Sequence, residues 1–104
     1  MITERLTFRA KYGQGDTLVN LMKESFKVMP MPAGTSGARI YTDHTGPMFT
    51  VAVEFDHADI GAYAKASMSD TQEFGSKEFQ EWFSKMVAVT ELGERQLFNM
   101  EKLA

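Results

Sequence analysis

The sequence predicts an α+β fold in which two interleaved β-α-β units form one antiparallel four-stranded sheet with its helices on one face. Three observations predict it. Apolar and polar residues alternate in the first strand and in a central hairpin, apolar residues recur at helical spacing elsewhere, and the elements follow the order β-α-β-β-α-β. This order is the ferredoxin-like arrangement. The chain of 104 residues has the size of one domain, which we take to span residues 1–104.

Residues 37–56 are predicted to form the hairpin around which the other elements are arranged. Turn-forming residues occupy 43–46, and Pro47 suits the first position of a strand, where a missing N–H group is tolerated. A four-residue loop then pairs Thr42 with Pro47 and sets the register of the remaining pairs. Because paired residues share a face, one face of the hairpin is apolar. It holds Ala38, Ile40, Phe49, Val51, Val53 and Phe55.

The N-terminal third predicts a strand followed by a helix. Residues 1–11 alternate as in a half-buried strand, apart from Glu4 near the chain end. Asp16 is a suitable N-cap because its carboxylate can accept hydrogen bonds from the free N–H groups of the first turn. Pro30 ends the helix, whose apolar stripe we expect to pack on the sheet. The stripe comprises Leu18, Leu21, Met22, Ser25 and Met29.

The C-terminal half predicts a helix in two pieces and a last strand. Residues 56–59 have the composition of a helix cap, and a weak apolar stripe follows them. We expect an irregular joint at 70–75, a stronger helix from Ser76, and a polar strand over 94–103 after Gly93. The stronger helix places Phe79, Trp82, Phe83 and Met86 on one face.

Polarity predicts which strands lie at the edges of the sheet. The segment 48–55 is the most apolar and 1–11 is the next, as central strands should be. The segments 38–42 and 94–103 carry charges, which protect edge strands from unwanted pairing. We therefore expect the first and third strands in the middle of the sheet.

Composition argues against several classes of function. The net charge is −3 and there is no Lys/Arg run, whereas binding to nucleic acid or to anionic membranes needs a basic patch. The longest apolar run, 86–89, is far too short to span a membrane, and we expect a cytoplasmic protein. The absence of cysteine excludes disulfides, thiol catalysis and zinc–thiolate sites.

The second face of the sheet is too polar for a core and too apolar for a bare surface. A sheet of this size can bury Tyr41, Met48 and Ala52 by packing face to face with a copy of itself, so the sequence predicts a homodimer. This face holds Arg5, Thr7, Arg9, Arg39, Tyr41, Met48, Thr50, Ala52 and Glu54.

An excess of arginine marks the interior of this predicted dimer. A guanidinium fork suits a carboxylate or another anion, which makes the face a candidate ligand site. The alternative, which we favour, is that the arginines form structural salt bridges with Glu54, Asp43 or acids of the last strand. The candidate ligand-binding residues are Arg5, Arg9, Arg39, Tyr41, Thr50 and Glu54.

Three stretches resemble the NIPSNAP-type branch of the dimeric α+β-barrel superfamily, namely RAKYGQGD at 9–16, GARIYTDHTGPMFTVAVEF at 37–55 and EFQEWFSKM at 78–86. The superfamily also contains the cofactor-free antibiotic-biosynthesis monooxygenases. The resemblance implies a homodimer whose sheets face each other around a barrel, and it implies no cofactor. Haem-degrading members use an Asn on the first strand, which this chain lacks, so haem degradation is not implied.

Two functional hypotheses follow, and whether the protein is an enzyme stays open between them. We favour an uncharacterised barrel protein that binds a small anionic or aromatic ligand between the sheet and the helices or inside the barrel. The alternative is a cofactor-independent monooxygenase whose planar aromatic substrate lies between sheet and helices. Its expected polar anchors are Arg5, Arg9, Tyr41 and Glu54.

Few other residues are candidates for chemistry. Tyr41, Asp43 and His44 are the candidate catalytic residues, the last two as an acid/base pair at the barrel mouth. His44 and His57 are the only histidines, and neither has a second His or a Cys at ligand spacing, so no metal site is predicted. The aromatic residues near the third helix either roof a pocket or, as their helical spacing favours, belong to the core. They are Phe74, Phe79, Trp82 and Phe83.

Overall fold

The computed structural model describes residues 1–28, 31–68 and 76–103, and it has the predicted order of elements. Met29, Pro30, Phe74 and the predicted joint at 70–75 lie outside the described residues. The strands are β1 (Ile2–Ala10), β2 (Thr35–Thr42), β3 (Thr50–His57) and β4 (Thr90–Asn99). The helices are α1 (Gly15–Val28), α2 (Ile60–Met68) and α3 (Lys77–Val89).

The four strands form an antiparallel sheet in the order β2-β3-β1-β4. The two most apolar strands therefore lie in the middle and the two charged strands at the edges, which confirms the prediction from polarity. The ferredoxin-like α+β fold is also confirmed. None of the described helices is long and apolar enough to cross a membrane.

The core lies between the sheet and the helices, and the predicted facing of the central strands is confirmed. Leu6 pairs with Val53 and Phe8 with Val51, all on the side of the helices. The indole N–H of Trp82 donates to the carbonyl oxygen of Leu21 at 2.6 Å, which ties α3 to α1. The buried apolar residues are Ala10, Leu18, Leu21, Met22, Val51, Val53, Trp82 and Met86.

The predicted register of the β2–β3 hairpin is wrong, although its facing is right. Thr42 pairs with Val51 instead of Pro47, a shift of four residues, and an even shift keeps each residue on its own face. The loop spans 43–49 and is closed by Asp43, whose carboxylate accepts the backbone N–H of Thr50 at 3.0 Å. Phe49 does not continue the strand: it has φ of 65° and packs edge-on against the ring of Tyr12 at 5.1 Å.

A bulge in β2 overturns the predicted burial of Ala38. Ser36 pairs with Asp56 but Arg39 pairs with Glu54, so β2 carries one extra residue between these two pairs. Gly37 provides the left-handed backbone that this bulge requires, with φ of 65°. Ala38 is consequently exposed and takes no part in the apolar face.

Two predicted helix starts need correction. The helix α1 begins at Gly15, so Asp16 lies in its first turn, where a carboxylate still interacts favourably with the helix dipole. The strand β3 extends to His57, and the cap of α2 is Asp59 alone, whose Oδ1 accepts the N–H of Ala62 at 2.7 Å.

The two ends of α3 differ in how well they were predicted. The helix begins next to Ser76, where its start was predicted, and Ser76 caps it, with its Oγ accepting the N–H of Phe79 at 3.1 Å. The last strand, however, starts at Thr90 and not at 94, because α3 passes directly into β4. Gly93 lies within this strand opposite Phe8, whose ring comes within 3.0 Å of the position that a Cβ would occupy.

We expect Gly37→Ala to lower the free energy of unfolding more than Gly13→Ala does. Both glycines have left-handed φ, +65° and +79°, where any L side chain costs about 1–2 kcal/mol. At Gly37 the new Cβ would also lie 2.6 Å from Oδ2 of Asp56, whereas nothing lies within 4 Å at Gly13. Urea denaturation of the two variants should show a further loss of about 1–2 kcal/mol for Gly37→Ala. Equal losses would contradict the proposed role of this contact.

Candidate functional site

The open face of the sheet, which points away from the helices, carries a network of ion pairs. Arg5 donates from Nε to Oε2 of Glu54 at 2.7 Å, and Arg39 donates from Nη2 to Oε1 of the same carboxylate at 3.0 Å. Arg39 also donates from Nη1 to Oδ2 of Asp56 at 2.9 Å. The structure therefore brings together Arg5, Arg39 and Glu54 as predicted, and it adds Asp56, which the sequence analysis did not select.

The network holds both carboxylates in their ionised form. Burial raises the pKa of Glu54, but the hydrogen bonds and charges of Arg5 and Arg39 outweigh it, so the pKa lies below its ordinary value. The hydrogen bond from Arg39 lowers the pKa of Asp56, against the opposing effect of burial. The hydrogen bonds that Arg39 donates, first to Asp56 and then to Glu54, raise the pKa of Arg39. These contacts correspond to the structural salt bridges that the sequence analysis favoured.

The other predicted ligand residues lie further along the open face. Arg9 is 4.0 Å from Glu91, with both side chains about half exposed, and pairs in register with Thr50. The hydroxyl of Thr50 donates to the carbonyl oxygen of Pro47 at 2.8 Å. Tyr41 is 48% exposed opposite Ala52. As ligand residues, these side chains stay a prediction.

Asp43 and His44, the candidate acid/base pair, have different surroundings. The carboxylate of Asp43 is engaged with the backbone of Thr50, where it closes the loop. His44 is exposed within the same loop. Asp43 and Thr50 also border a hollow of about 380 Å³ at this end of the sheet. As catalytic residues, Tyr41, Asp43 and His44 stay a prediction.

A larger cavity, of about 460 Å³, lies on the opposite side of the sheet, beneath the helices. Its described lining includes none of the six predicted ligand residues, because their strand positions face the other way. Aromatic side chains form much of the wall, which supports the pocket-roof alternative for part of the aromatic cluster. Those on the wall are Phe26, Phe55, Phe79, Trp82 and Phe83.

One end of this cavity is polar. His57, whose side chain is 3% exposed, lies 3.0 Å from Oε1 of Glu4 through Nε2 and 3.0 Å from Oγ1 of Thr35 through Nδ1. Arg95 approaches the same carboxylate, with Nε 3.4 Å from Oε2 of Glu4. Arg95 is 62% exposed, so it lies at the rim while Glu4 and His57 lie deeper. All four residues line the cavity.

The sequence analysis missed this polar cluster, although the signal was present. The composition of residues 56–59 predicts a helix cap that includes His57, yet His57 continues the alternation of Val51, Val53 and Phe55 on the side of the helices. Glu4 is an exception to the alternation predicted for the first strand, yet it occupies the apolar side of β1. A histidine and a glutamate on the buried face of neighbouring strands need polar partners, and here they partner each other.

Within residues 1–28, 31–68 and 76–103, no group of three or more His, Asp or Glu side chains is placed to hold a metal ion. The arrangement around His57 is instead a hydrogen-bonded set of proton donors and acceptors. It can bind a polar group or exchange a proton with one.

Solved structures show what this chain resembles. It superposes on an uncharacterized NIPSNAP domain protein from Burkholderia xenovorans with a TM-score of 0.80 and 15% identity, covering 100% of this chain and 98% of the other. The chain has the fold of NIPSNAP-domain proteins. A NIPSNAP family protein from Agrobacterium tumefaciens is similar, with a TM-score of 0.78, 15% identity, and coverage of 99% and 88%.

A less similar structure belongs to a putative antibiotic biosynthesis monooxygenase from Deinococcus radiodurans. Its TM-score is 0.69 at 10% identity, with coverage of 100% of this chain and 96% of that chain. No family model matches the sequence, and no curated protein matches it. The comparisons therefore show the fold of this chain. One of the similar structures is itself described as a NIPSNAP family protein with unknown function.

We expect Glu54→Gln to destabilise the protein by about 1–3 kcal/mol at neutral pH, because it weakens charged hydrogen bonds from two arginines. A carboxylate with a lowered pKa stabilises the fold at neutral pH, and this contribution is lost as the pH falls through its folded-state pKa. In urea denaturation between about pH 7 and about pH 2, the free energy of unfolding should therefore fall less for Glu54→Gln than for the unmodified protein.

The control is Glu81→Gln, which removes an exposed pair with Lys77 at 3.9 Å. Exposed pairs of this kind contribute about 0–1 kcal/mol to stability, so the unfolding free energy of Glu81→Gln should depend on pH as that of the unmodified protein does. If the two variants behaved alike across the pH range, the open-face network would not be the source of the pH dependence.

Proposed function

We propose that this chain is a NIPSNAP-like protein that binds a small aromatic ligand with a polar or anionic group in the cavity beneath its helices. The observation that carries the proposal is the cavity itself, about 460 Å³ with aromatic walls and a polar end at His57. A mostly apolar pocket with a few convergent polar groups is the usual form of a small-molecule site.

The distribution of polar groups supports this class of ligand. Phe79 stacks on Phe83 with ring centroids 5.8 Å apart, which gives the wall flat aromatic surfaces. Arg95 at the rim is a guanidinium that can meet a carboxylate or phenolate, and Glu4 and His57 below it can accept or donate hydrogen bonds. A planar aromatic molecule with one acidic group therefore suits both the aromatic wall and the polar end of the cavity.

The proposal includes a homodimer formed through the open face. Three large side chains are exposed on this face, Tyr41 at 48%, Leu92 at 50% and Phe98 at 40%. Exposed apolar surface of this kind is typical of a protein–protein interface. The guanidinium of Arg5 lies 4.9 Å from the centroid of the Phe98 ring, a cation–π contact on this face. A cytoplasmic location is also part of the proposal and rests on the sequence alone.

A second candidate function is cofactor-independent oxygenation of the bound aromatic molecule. Its support is the likeness in fold to two structures described as antibiotic biosynthesis monooxygenases, with TM-scores of 0.69 and 0.67. Fold likeness alone does not assign a reaction. Consumption of dissolved oxygen on addition of a bound aromatic compound would support this candidate, and binding without oxygen uptake would leave ligand binding as the function.

Filling the cavity should weaken ligand binding. Ser67 lines the cavity from α2, so Ser67→Phe should raise the Kd of 2-naphthoate at least about tenfold in isothermal titration. Ser84→Phe adds the same ring to an exposed position on α3 that does not line the cavity, and it should bind like the unmodified protein. Equal Kd values for both variants would place the ligand elsewhere, and no binding by the unmodified protein would contradict the proposal.

A charge on the open face should dissociate the dimer. Leu92 on the open face and Val87 on α3 are 50% and 51% exposed, so Leu92→Glu and Val87→Glu add the same charge at equal exposure. Sedimentation equilibrium should show dimers for the unmodified protein and Val87→Glu and monomers for Leu92→Glu. A monomeric unmodified protein, or dimers of Leu92→Glu, would overturn the proposed interface.

A further inference from the structure

The polar end of the cavity contains a continuous chain of hydrogen bonds that runs across three strands. Oγ1 of Thr35 lies 3.0 Å from Nδ1 of His57, and Nε2 of His57 lies 3.0 Å from Oε1 of Glu4. Thr35, on β2, is half-buried and lines the cavity, so its hydroxyl is the member of the chain that a bound molecule can reach most directly.

The chemistry of the three groups assigns a direction to these bonds. An ionised carboxylate can only accept, so the Nε2 proton of His57 is assigned to the bond with Glu4. In the neutral ring Nδ1 is then an acceptor, and it takes the hydroxyl proton of Thr35. The lone pairs of Oγ1 are left to accept a proton from a molecule in the cavity.

We propose that Thr35, His57 and Glu4 form a proton relay that deprotonates a weakly acidic ligand, such as a phenol, in the cavity. The inference rests on the proposed function, since it assigns the acidic group of the ligand that the cavity binds. The phenolic O–H bond breaks and its proton passes to Oγ1 of Thr35, while the hydroxyl proton of Thr35 passes to Nδ1 of His57. The products are a phenolate and an imidazolium, and no oxidant or reductant takes part.

The surroundings of His57 suit the imidazolium that results. Glu4 on β1 accepts its Nε2 proton and supplies a compensating negative charge. The ring of Tyr63 on α2 stands edge-on to the imidazole, with ring centroids 5.3 Å apart. The carboxylate of Asp56, next to His57 on β3, lies on the open face and is already paired with Arg39. Arg95 on β4 faces His57 only through Glu4, and it can meet the phenolate at the rim.

The test uses 4-nitrophenol, whose phenolate has a visible absorption band that the neutral form lacks. At about one pH unit below the pKa of the free dye, only about a tenth of the free dye is ionised. Trp82 is the single tryptophan and lines the cavity, so quenching of its fluorescence reports occupancy separately from ionisation. 4-Nitroanisole, which has no acidic proton, reports occupancy alone.

We expect about half of the dye bound to the unmodified protein to be phenolate at this pH, because its apparent pKa is lowered by about one unit, a tenfold shift. His57→Gln keeps hydrogen-bonding groups toward Thr35 and Glu4, so it should still quench with both probes but lose the phenolate band. Thr35→Val, which is nearly the same size, should do the same. His44→Gln changes the other histidine, in the exposed loop, and should behave like the unmodified protein.

Each alternative result has a distinct meaning. Quenching by both probes without a phenolate band in the unmodified protein would overturn the relay and leave the proposed binding function standing. A phenolate band that persists in His57→Gln and Thr35→Val would overturn the assignment of the relay to these residues. Absence of quenching by either probe would overturn the relay and the binding site together.

Discussion

The structure depends on the two-residue period of the central strands β1 and β3. Leu6 and Val53 meet the helices, while their neighbours Arg5 and Glu54 pair on the opposite face. Because successive side chains alternate, one register supplies the core and the ion pairs together. A slip by a single residue would put a charged pair beneath the helices and expose the aliphatic residues, so burial fixes this register strongly.

Features that repeat within a few residues could be predicted from the sequence. The facing of β1 and β3, the buried stripe of α1 and the start of α3 next to Ser76 all follow from local periods in the sequence. The hairpin register could not be obtained in this way, since a shift of four residues leaves every side chain on the same face. The observed register goes with the hydrogen bond between Asp43 and Thr50 across the loop and with the packing of Phe49 on Tyr12, and the second of these contacts joins distant parts of the chain.

The two sides of the sheet differ in how far the sequence revealed their chemistry. The grouping of Arg5, Arg39 and Glu54 followed from facing alone, because long charged side chains on adjacent strands reach each other readily. The cluster around His57 does not follow from the predicted segment 48–55, because β3 extends two residues further, to His57. A polar residue that continues an apolar alternation is thus better explained as a buried hydrogen-bonding group than as the start of the next element.

Trp82 limits how far the cavity can be widened by substitution. The ring is part of the cavity wall, and its N–H also ties α3 to the Leu21 carbonyl of α1. Widening the cavity by truncating this ring would loosen the two helices at the same time. In this chain the lining residues Ser67 on α2 and Arg95 on β4 take no part in the hydrogen bond that joins the two helices, so the cavity can change there without loosening them.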